Sequence, residues 1–533
     1  MYDDLRLWRC ILTTDPSPAE YVVVGGGSAG SVLVRRLLDA GHSVHLLEAG
    51  GPDTGPLTGP LIRDPRGWPL LLLSRHTANL ATIPQREAYR RRLRWTRGTV
   101  LGGGSAVNAA VYVRGHAHDF DAWAQAGCHG WSWQDVLPLF KRSEDYALGP
   151  ALHHGSGGPL PVEPITDPNP LSLAFLQAAQ EYGHPLTHDF NGENMTGVGC
   201  NHLNTRDGRR VSAWNGFAGP LLNHRLLTVT TGVLAHRILF NAGRAVGVQY
   251  SQRHQSKLGR IVTGSARTHV ARAHTEVIVC AGVIGSPALL LRSGIGPAEH
   301  LRALDLPVIT DLPGVGQNLH DHLLVPVVYR SARWLPWRTR NFAEAQLFAH
   351  SGRHPGPAPD LMPVLMHLVY PPRLLPPPGR GYTIAAGLVR PLSRGTLRLA
   401  SADPDVAVRA DPQVLTEPAD LEVLVQAVRM CRDIGDLAPL RGWRGAEVLP
   451  GPSVKDDSDL RAFVRRTVST YHHQAGTCRM GTDPRAVVAP DLRIHGMDGL
   501  RVADASIMPR VPSANINAAT IMIGEKAADL VLS

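Results

Sequence analysis

The stretch "YVVVGGGSAGSVLVRRLLDAGHSVHLLEAG", Tyr21 to Gly50, constrains the fold of this chain more than any other. Tyr21 to Val24 is a short β-rich apolar run of the kind that forms a buried parallel strand. Gly25, Gly27 and Gly30 follow with G-x-G-x-x-G spacing, and Ser31 to Ala40 carries apolar residues at helical intervals, with Gly41 placed as a C-cap. His42 to Leu47 reads as a second strand ending in Glu48. Each glycine has its own task. Gly25 permits the tight turn, Gly27 lets the backbone approach a pyrophosphate, and Gly30 lets the helix pack on the strand, while the helix N-terminus faces the phosphates. Glu48 is placed to accept hydrogen bonds from ribose hydroxyls. The whole reads as a dinucleotide-binding βαβ unit, suited equally to FAD and NAD.

A chain of 533 residues exceeds one simple core, so two or more domains, or one interleaved assembly, are expected. Apolar content of 43% and charged content of 19% are those of a soluble globular protein. The formal net charge of +9 comes from scattered arginines, the lysines being only Lys141, Lys257, Lys455 and Lys526. The one dense run, "QREAYRRRLRWTR" from Gln85 to Arg97, leads into a glycine-rich segment and reads as a solvated or phosphate-facing stretch rather than a nucleic-acid patch. Cys10, Cys128, Cys200, Cys280, Cys431 and Cys478 lie far apart, against both a disulfide framework and a zinc site. The N-terminus "MYDDLRLWRCILTTDPSPAE" lacks a long apolar run and reads as no signal peptide. The apolar "PLLLL", Pro69 to Leu73, is too short to span a bilayer. A cytoplasmic protein with no nucleic-acid or membrane partner and no metal is expected. The oligomeric state stays open.

Further along, "TVLGGGSAVNAAVYVRG", Thr99 to Gly115, is a second glycine run of the kind that lets backbone approach something closely. "TEVIVCAGVIGSPALLLRSGIG", Thr275 to Gly296, repeats the strand–turn–helix pattern, with Ser286-Pro287 opening the helix. "DLPGVGQNLHDH", Asp311 to His322, is a turn-rich connector whose Asp321/His322 pair reads as structural rather than as a metal ligand. Proline and glycine are frequent from about Pro326 to Arg380, which suits a surface-facing substrate domain or lid. "YTIAAGLVRPLSRGTLRLAS" reads as a hairpin about Ser393-Arg394-Gly395, and "EPADLEVLVQAVRMCRDIG" as an amphipathic helix ended by Gly435. "TYHHQAGTCRMG", Thr470 to Gly481, sets His472 beside His473. Adjacent side chains point to opposite faces of a strand, or about 100° apart on a helix, so at most one faces a reacting atom.

These stretches together resemble the glucose–methanol–choline (GMC) family of flavin-dependent alcohol oxidoreductases. The motifs that carry the likeness are Tyr21 to Gly50, Gly98 to Gly115, "TRDGRRVSA" at Thr205 to Ala213, Gly282 to Gly296, Asp311 to His322, "GTLRLASADP" at Gly395 to Pro404, and Thr470 to Lys526. The resemblance implies an α/β (α+β overall) fold in which a Rossmann-type FAD-binding domain is interleaved with a substrate domain containing an antiparallel sheet. It implies FAD-binding segments 1–155, 213–325 and 469–533, the last with the catalytic segment, and substrate-domain segments 156–212 and 326–468. In the family the catalytic histidine stands three residues before the glycine of a Gly-Thr-Cys-like segment, which is His473 here. A second catalytic position, His or Asn, lies eleven residues before the basic residue of the C-terminal helix, and counting back from Lys526 gives Asn515. Asn515 read alone is also a helix N-cap. The cofactor contacts implied are Gly25, Gly27, Ser28, Ala29, Gly30, Glu48, Ala49, Gly102, Gly103, Ser105, Asn108, Val111, Val233, Ala281, Asp504, Ala505 and Asn517. Two departures stand out. Thr99 replaces a basic residue common in the family. Val107 occupies the place where some members carry a flavin-linking histidine, so non-covalent FAD is expected.

The activity implied is oxidation of a primary alcohol to an aldehyde. His473 takes the hydroxyl proton, the carbinol hydride goes to flavin N5, and Asn515 holds the oxygen. Molecular oxygen or another acceptor then reoxidises the flavin. The substrate expected is a polar or aryl primary alcohol, including a sugar or amino-sugar hydroxymethyl group. A choline-like cation would want an aromatic and acidic cage, for which Trp334, Trp337, Asp189 and Glu193 are candidates. A flavin-containing lyase without net redox, and a non-catalytic flavin-binding protein, are the alternatives.

Overall fold

The computed structural model describes residues 17–56, 58–252, 267–370 and 380–533. Cys10, Lys257, the first sixteen residues of the N-terminal stretch and residues 371–379 of the proline-rich segment lie outside them. Two seven-stranded sheets carry the fold. In the first, Leu227–Thr231, Val44–Glu48, Ala19–Val24 and Thr268–Val279 lie side by side in parallel, and Leu500–Val502 joins the last of these, also in parallel. Ala19–Val24 and Val44–Glu48 are buried almost throughout, as strands covered on both faces must be. The other half of the twelve-residue strand Thr268–Val279 pairs antiparallel with Arg244–Gln252, which pairs with Val233–Asn241.

The second sheet is antiparallel and runs Arg444–Leu449, Leu323–Ser331, Gly381–Leu388, Val364–Met366, Ala345–Phe348, Gly197–Cys200. Ser469–Thr470 pairs with Leu323 and Leu324 at the start of the second of these strands. Pro326 lacks an N–H, and it sits between the stretch that pairs with Ser469–Thr470 and the stretch that pairs with Arg444–Leu449. From Thr470, opposite Leu323, the chain carrying His472 and His473 runs on past the start of this strand, with Tyr471 N–H donating to His322 O at 3.1 Å. The α/β class with a Rossmann-type parallel sheet and a separate antiparallel sheet is therefore the fold this chain adopts.

Three local expectations are corrected. The hairpin about Ser393-Arg394-Gly395 does not form, because Gly381–Leu388 is an interior strand with both edges taken, while Thr396–Arg398 pairs with Arg409–Asp411. The Asp420 carboxylate caps the turn between them by accepting from the Leu392 and Ser393 N–H groups at 2.8 and 2.9 Å. Gly435 does not end its helix, which runs Pro418–Asp436; a Cβ there would lie 2.3 Å from the Tyr329 hydroxyl, so packing is what requires the glycine. Finally, Ser286-Pro287 lies inside the helix Gly282–Arg292 rather than at its start. Proline at 287 leaves the Val283 carbonyl without its helical donor, and the buried Thr477 hydroxyl supplies one at 2.6 Å. Thr477→Val should therefore lower stability by about 1–3 kcal/mol, read as a shift of the chemical denaturation midpoint, with near-wild-type behaviour overturning this account.

Candidate active site

The floor of the site is built from backbone pressed on backbone. Gly25 has φ +109°, and a Cβ there would lie 2.3 Å from the Cys280 carbonyl oxygen; one on Gly30 would lie 1.9 Å from the Gly25 oxygen. Gly27 differs, because its Cβ direction is open. The second glycine run folds against the first: Gly102 N–H donates to Gly26 O at 2.8 Å, and a Cβ on Gly103 would meet Gly27 Cα at 2.9 Å. The Glu48 carboxylate braces this floor, accepting from Gly26 N–H at 2.8 Å and Gly50 N–H at 2.6 Å. Ala49 beside it is exposed, and Ala29 is buried beneath the C-terminal helix, 2.6 Å being the distance from its oxygen to a Cβ on Gly524.

Two long helices begin here. Ser28–Asp39 starts after Gly27 and Asn517–Leu532 after Ile516, neither with a side-chain cap nor an acid in its first turn. Ser28 Oγ donates to Asn517 Oδ1 at 2.8 Å and holds the two ends together. Uncapped N–H groups beside open glycines at 27 and 104 form a cradle for an anion such as a pyrophosphate, so these residues fit FAD. Most of the remaining positions are fixed by hydrogen bonds to neighbouring segments. Ser105 Oγ donates to Gly102 O at 2.6 Å and accepts from Ala213 N–H; Asn108 Oδ1 accepts from Ala110 N–H and from Arg210. Val233 follows Gly232, whose N–H donates to Gly50 O at 2.9 Å. Ala281 caps the helix at Gly282, and Asp504 Oδ2 accepts from Gly282 N–H at 2.8 Å and from Ser286 Oγ. Burial pushes the Asp504 carboxyl up, and the Ser286 hydroxyl and the Ser506 and Gly282 N–H groups donating to it oppose that. Ala505 O accepts from Gly476 N–H. Val111 lies apart from the phosphate end, in an apolar cluster with Phe348, Met362, Val389 and Ala514.

His473 and Asn515 come together: Asn515 Nδ2 lies 3.4 Å from His473 Nε2, and Asn515 Oδ1 is buried without a partner. The Tyr471 ring stacks on His473 at 5.3 Å, and His473 Nδ1 faces His322 Nδ1 at 3.0 Å. His472 turns elsewhere. Its φ of +62° swings the chain, its Nδ1 accepts from Thr96 N–H at 3.3 Å, and its Nε2 lies 3.4 Å from the Tyr370 hydroxyl. Asn515 is not an N-cap, since the helix starts after Ile516.

The contact between two Nδ1 atoms needs one shared proton. Asn515 Nδ2 can only donate, so His473 Nε2, 3.4 Å from it, is the acceptor and the proton of this ring sits on Nδ1. His322 Nδ1 is then the acceptor and His473 Nδ1 the donor, leaving the His473 Nε2 lone pair toward Asn515. Burial, then the neighbouring His322 and His472 rings, hold the His473 pKa well below the usual imidazole value. Burial also lowers His472 to about 4 and His322 to about 3. The lowered proton affinity makes His473 a neutral ring at neutral pH.

Asp321 organises this loop. One oxygen accepts from His473 N–H at 2.9 Å, and the other from Gln474 Nε2 at 2.8 Å and the Thr470 hydroxyl, which itself accepts from His472 N–H. Sequence reasoning treated Asp321/His322 as merely structural; their adjacency in a turn-rich segment was the available signal. Among the described residues no group of three His, Cys, Asp or Glu side chains is placed to hold a metal. The cage candidates do not gather at His473. Trp334 and Trp337 are 66% and 85% exposed, Asp189 is bound to His154 at 2.8 Å, and Glu193 is exposed.

The fold and this site define an FAD-dependent alcohol oxidoreductase. Residues 19–324 and 391–524 match the two models of the GMC oxidoreductase family, and the chain belongs to that family. It is similar to the oxygen-dependent choline dehydrogenase of Sinorhizobium fredii, 38% identical over 96% of this chain and 95% of that one. Human mitochondrial choline dehydrogenase is 39% identical over 96% and 89%. The crystal structure of pyridoxine 4-oxidase from Mesorbium loti superposes with a TM-score of 0.87, at 35% identity over 96% of this chain and 98% of that one.

Burial pushes the Asp321 carboxyl up to about 7, so it gains a proton, and loses acceptor strength for the loop, as pH falls through that value. The rate of flavin reduction should accordingly fall below about pH 7, and this limb should vanish in Asp321→Asn, whose plateau should sit about 10–100-fold lower. The limb from His473 belongs well below 6.5, because only the neutral ring accepts a proton. An unchanged profile in Asp321→Asn would overturn the assignment.

Proposed function

We propose that this enzyme oxidises a neutral aromatic or heteroaromatic primary alcohol to its aldehyde, with His473 as base and Asn515 as the second contact to the reacting oxygen. The single observation that carries this reading is the convergence of the His473 Nε2 lone pair and the Asn515 Nδ2 donor, 3.4 Å apart. An alcohol oxygen placed between them accepts a hydrogen bond from Asn515 Nδ2 and gives its proton to Nε2, while the His322 contact keeps the opposite ring nitrogen protonated. Bound FAD supplies the acceptor for the carbinol hydrogen, transferred as hydride. The residues from Gly25 to Gly30, Gly102, Gly103, Asp504 and Asn517 are the proposed cofactor contacts, with segments 1–155, 213–325 and 469–533 as the FAD-binding domain and 156–212 and 326–468 as the substrate domain. Val107 is packed among Ile62, Leu71, Val100 and Ala106 and offers no nucleophile, which supports non-covalent FAD. A cytoplasmic location belongs to the same reading.

The substrate class rests on what surrounds the pair. Tyr471 and Ala109 stand at the edge of two apolar clusters, one with Met362 and Phe348, the other with Trp68, Tyr370 and Met366. Among the described residues in contact with the His473 loop, the buried carboxylate is Asp321, and its oxygens are taken by Thr470, His473 N–H and Gln474. Flat apolar walls without an unspent carboxylate suit an aryl ring better than a quaternary cation or an amino sugar. The similarity to a pyridoxine oxidase agrees with this, and the similarity to choline dehydrogenases agrees with a primary alcohol.

Anaerobic flavin reduction should be faster with benzyl alcohol and pyridoxine than with choline or an amino sugar; reduction by secondary alcohols alone, or no reduction by any alcohol, would overturn the proposal. His473→Ala should keep its yellow flavin and lose about 10²–10⁴ in reduction rate, with His472→Ala losing far less; equal impairment would sink the assignment of the base. Acid precipitation should release the flavin to the supernatant, whereas flavin retained in the pellet would show a covalent link.

A further inference from the structure

Two surface features that the reaction does not use share the segment Arg338 to Arg340. The first is the loop from Arg333 to Arg340, where Trp334 is 66% and Trp337 85% exposed among Arg333, Arg338 and Arg340. Arg380 lies 3.6 Å from the Trp334 ring centre, so this ring too is bordered by a guanidinium. The second is a cavity of about 470 Å³ whose wall includes Arg63, Arg66, Arg209, Arg338 and Arg340. Its acids are spent. Asp64 pairs with Arg66 at 2.7 Å and Asp167 pairs with Arg338, while the fully buried Glu344 accepts from Asn169 N–H, Ser172 Oγ and Arg340 N–H. Arg63, Arg209 and Arg340 have no ion-pair partner among the described residues.

A third element closes the patch. Trp68 Nε1 donates to Asn341 O at 2.8 Å and ties the arginine loop to the short helix Trp68–Leu71. Leu70 and Leu73, from the apolar run too short to cross a bilayer, are 63% and 62% exposed just beyond that tie. Tryptophan and leucine side chains beside guanidinium groups are the composition of a membrane-interface anchor, with the aromatics at headgroup depth and the cations on phosphate. A nucleic-acid surface would need a longer basic track, without acids paired along its rim. No helix among the described residues is long and apolar enough to span a membrane, so contact would be peripheral.

We infer that this face docks on an anionic phospholipid bilayer, with Trp337, Leu70 and Leu73 entering the headgroup region and a lipid phosphate occupying the arginine-lined cavity. The shared chemistry is a phosphate monoanion, and the flanking apolar side chains assign it to a lipid rather than to a free ion. This inference does not depend on the identity of the alcohol.

The test is co-sedimentation of the holoenzyme with vesicles of phosphatidylcholine alone, or with about one third phosphatidylglycerol. The holoenzyme should sediment with the anionic vesicles and not with the neutral ones, and added salt should release it. Trp337→Ser, Arg209→Ser and Arg340→Ser should each weaken partitioning by about fivefold, with turnover in vesicle-free solution unchanged. No sedimentation, or sedimentation that none of the variants weakens, would overturn the inference. Glycerol 3-phosphate abolishing vesicle binding at the affinity it shows alone would reassign the cavity to a free phosphate. Full displacement of vesicles by an oligonucleotide would reassign the face to nucleic acid.

Discussion

Close approach of bare backbone is the constraint on which the site depends. Gly30 rests on the Gly25 carbonyl, Gly25 on Cys280 and Gly103 on Gly27, each at a spacing that a methyl group would prevent. Three segments far apart in sequence are thereby stacked within a few ångströms, and their N–H groups are left facing one space. The Glu48 carboxylate and the Ser28–Asn517 contact secure that stack from two sides. Everything nearer the chemistry is hung from it, since Asn515 sits two residues before the helix that Asn517 begins.

The environment of the His473 ring is set by exclusion of water more than by charge pairing. Its ring is packed between Tyr471 and His322, and the lowered proton affinity follows from burial before any neighbour is counted. A carboxylate in the place of His322 would favour the imidazolium. A second neutral imidazole orients the ring and leaves it uncharged. Asp321 contributes at the backbone instead, gripping the residues on either side of the histidine without touching its ring nitrogens.

The Rossmann unit was legible because its glycines are steric necessities, and steric necessity leaves a local mark. Its helix begins at Ser28, three residues earlier than periodicity suggests, because Ser28, Ala29 and Gly30 are too small or polar for an apolar pattern to register. What lay beyond reach depended on distant partners. Pro287 is tolerated inside a helix by a threonine hydroxyl from position 477. Gly381–Leu388 and Thr396–Arg398 look like one hairpin, but their edges are claimed by strands elsewhere in the chain. The choice of His473 over His472 followed from family register. What the folded loop adds is a left-handed residue at 472 that sends the two rings apart, which no local pattern announces. Trp334 and Trp337 show the opposite failure, where residue type suggested a pocket and the fold placed them outside it.

The loop carrying His473 is strung between the two sheets. Ser469–Thr470 is hydrogen-bonded to the antiparallel sheet and Leu500–Val502 to the parallel one, so His473 lies on the bridge. Neither half of the molecule owns the active site. An antiparallel sheet grafted from a relative would bring new walls for the substrate and would also reset the anchor from which His473 is suspended. Diversification by module exchange is therefore closed to this architecture, and new specificity has to arise by substitution along the walls, with Leu323 and Leu324 kept in register under the loop they hold.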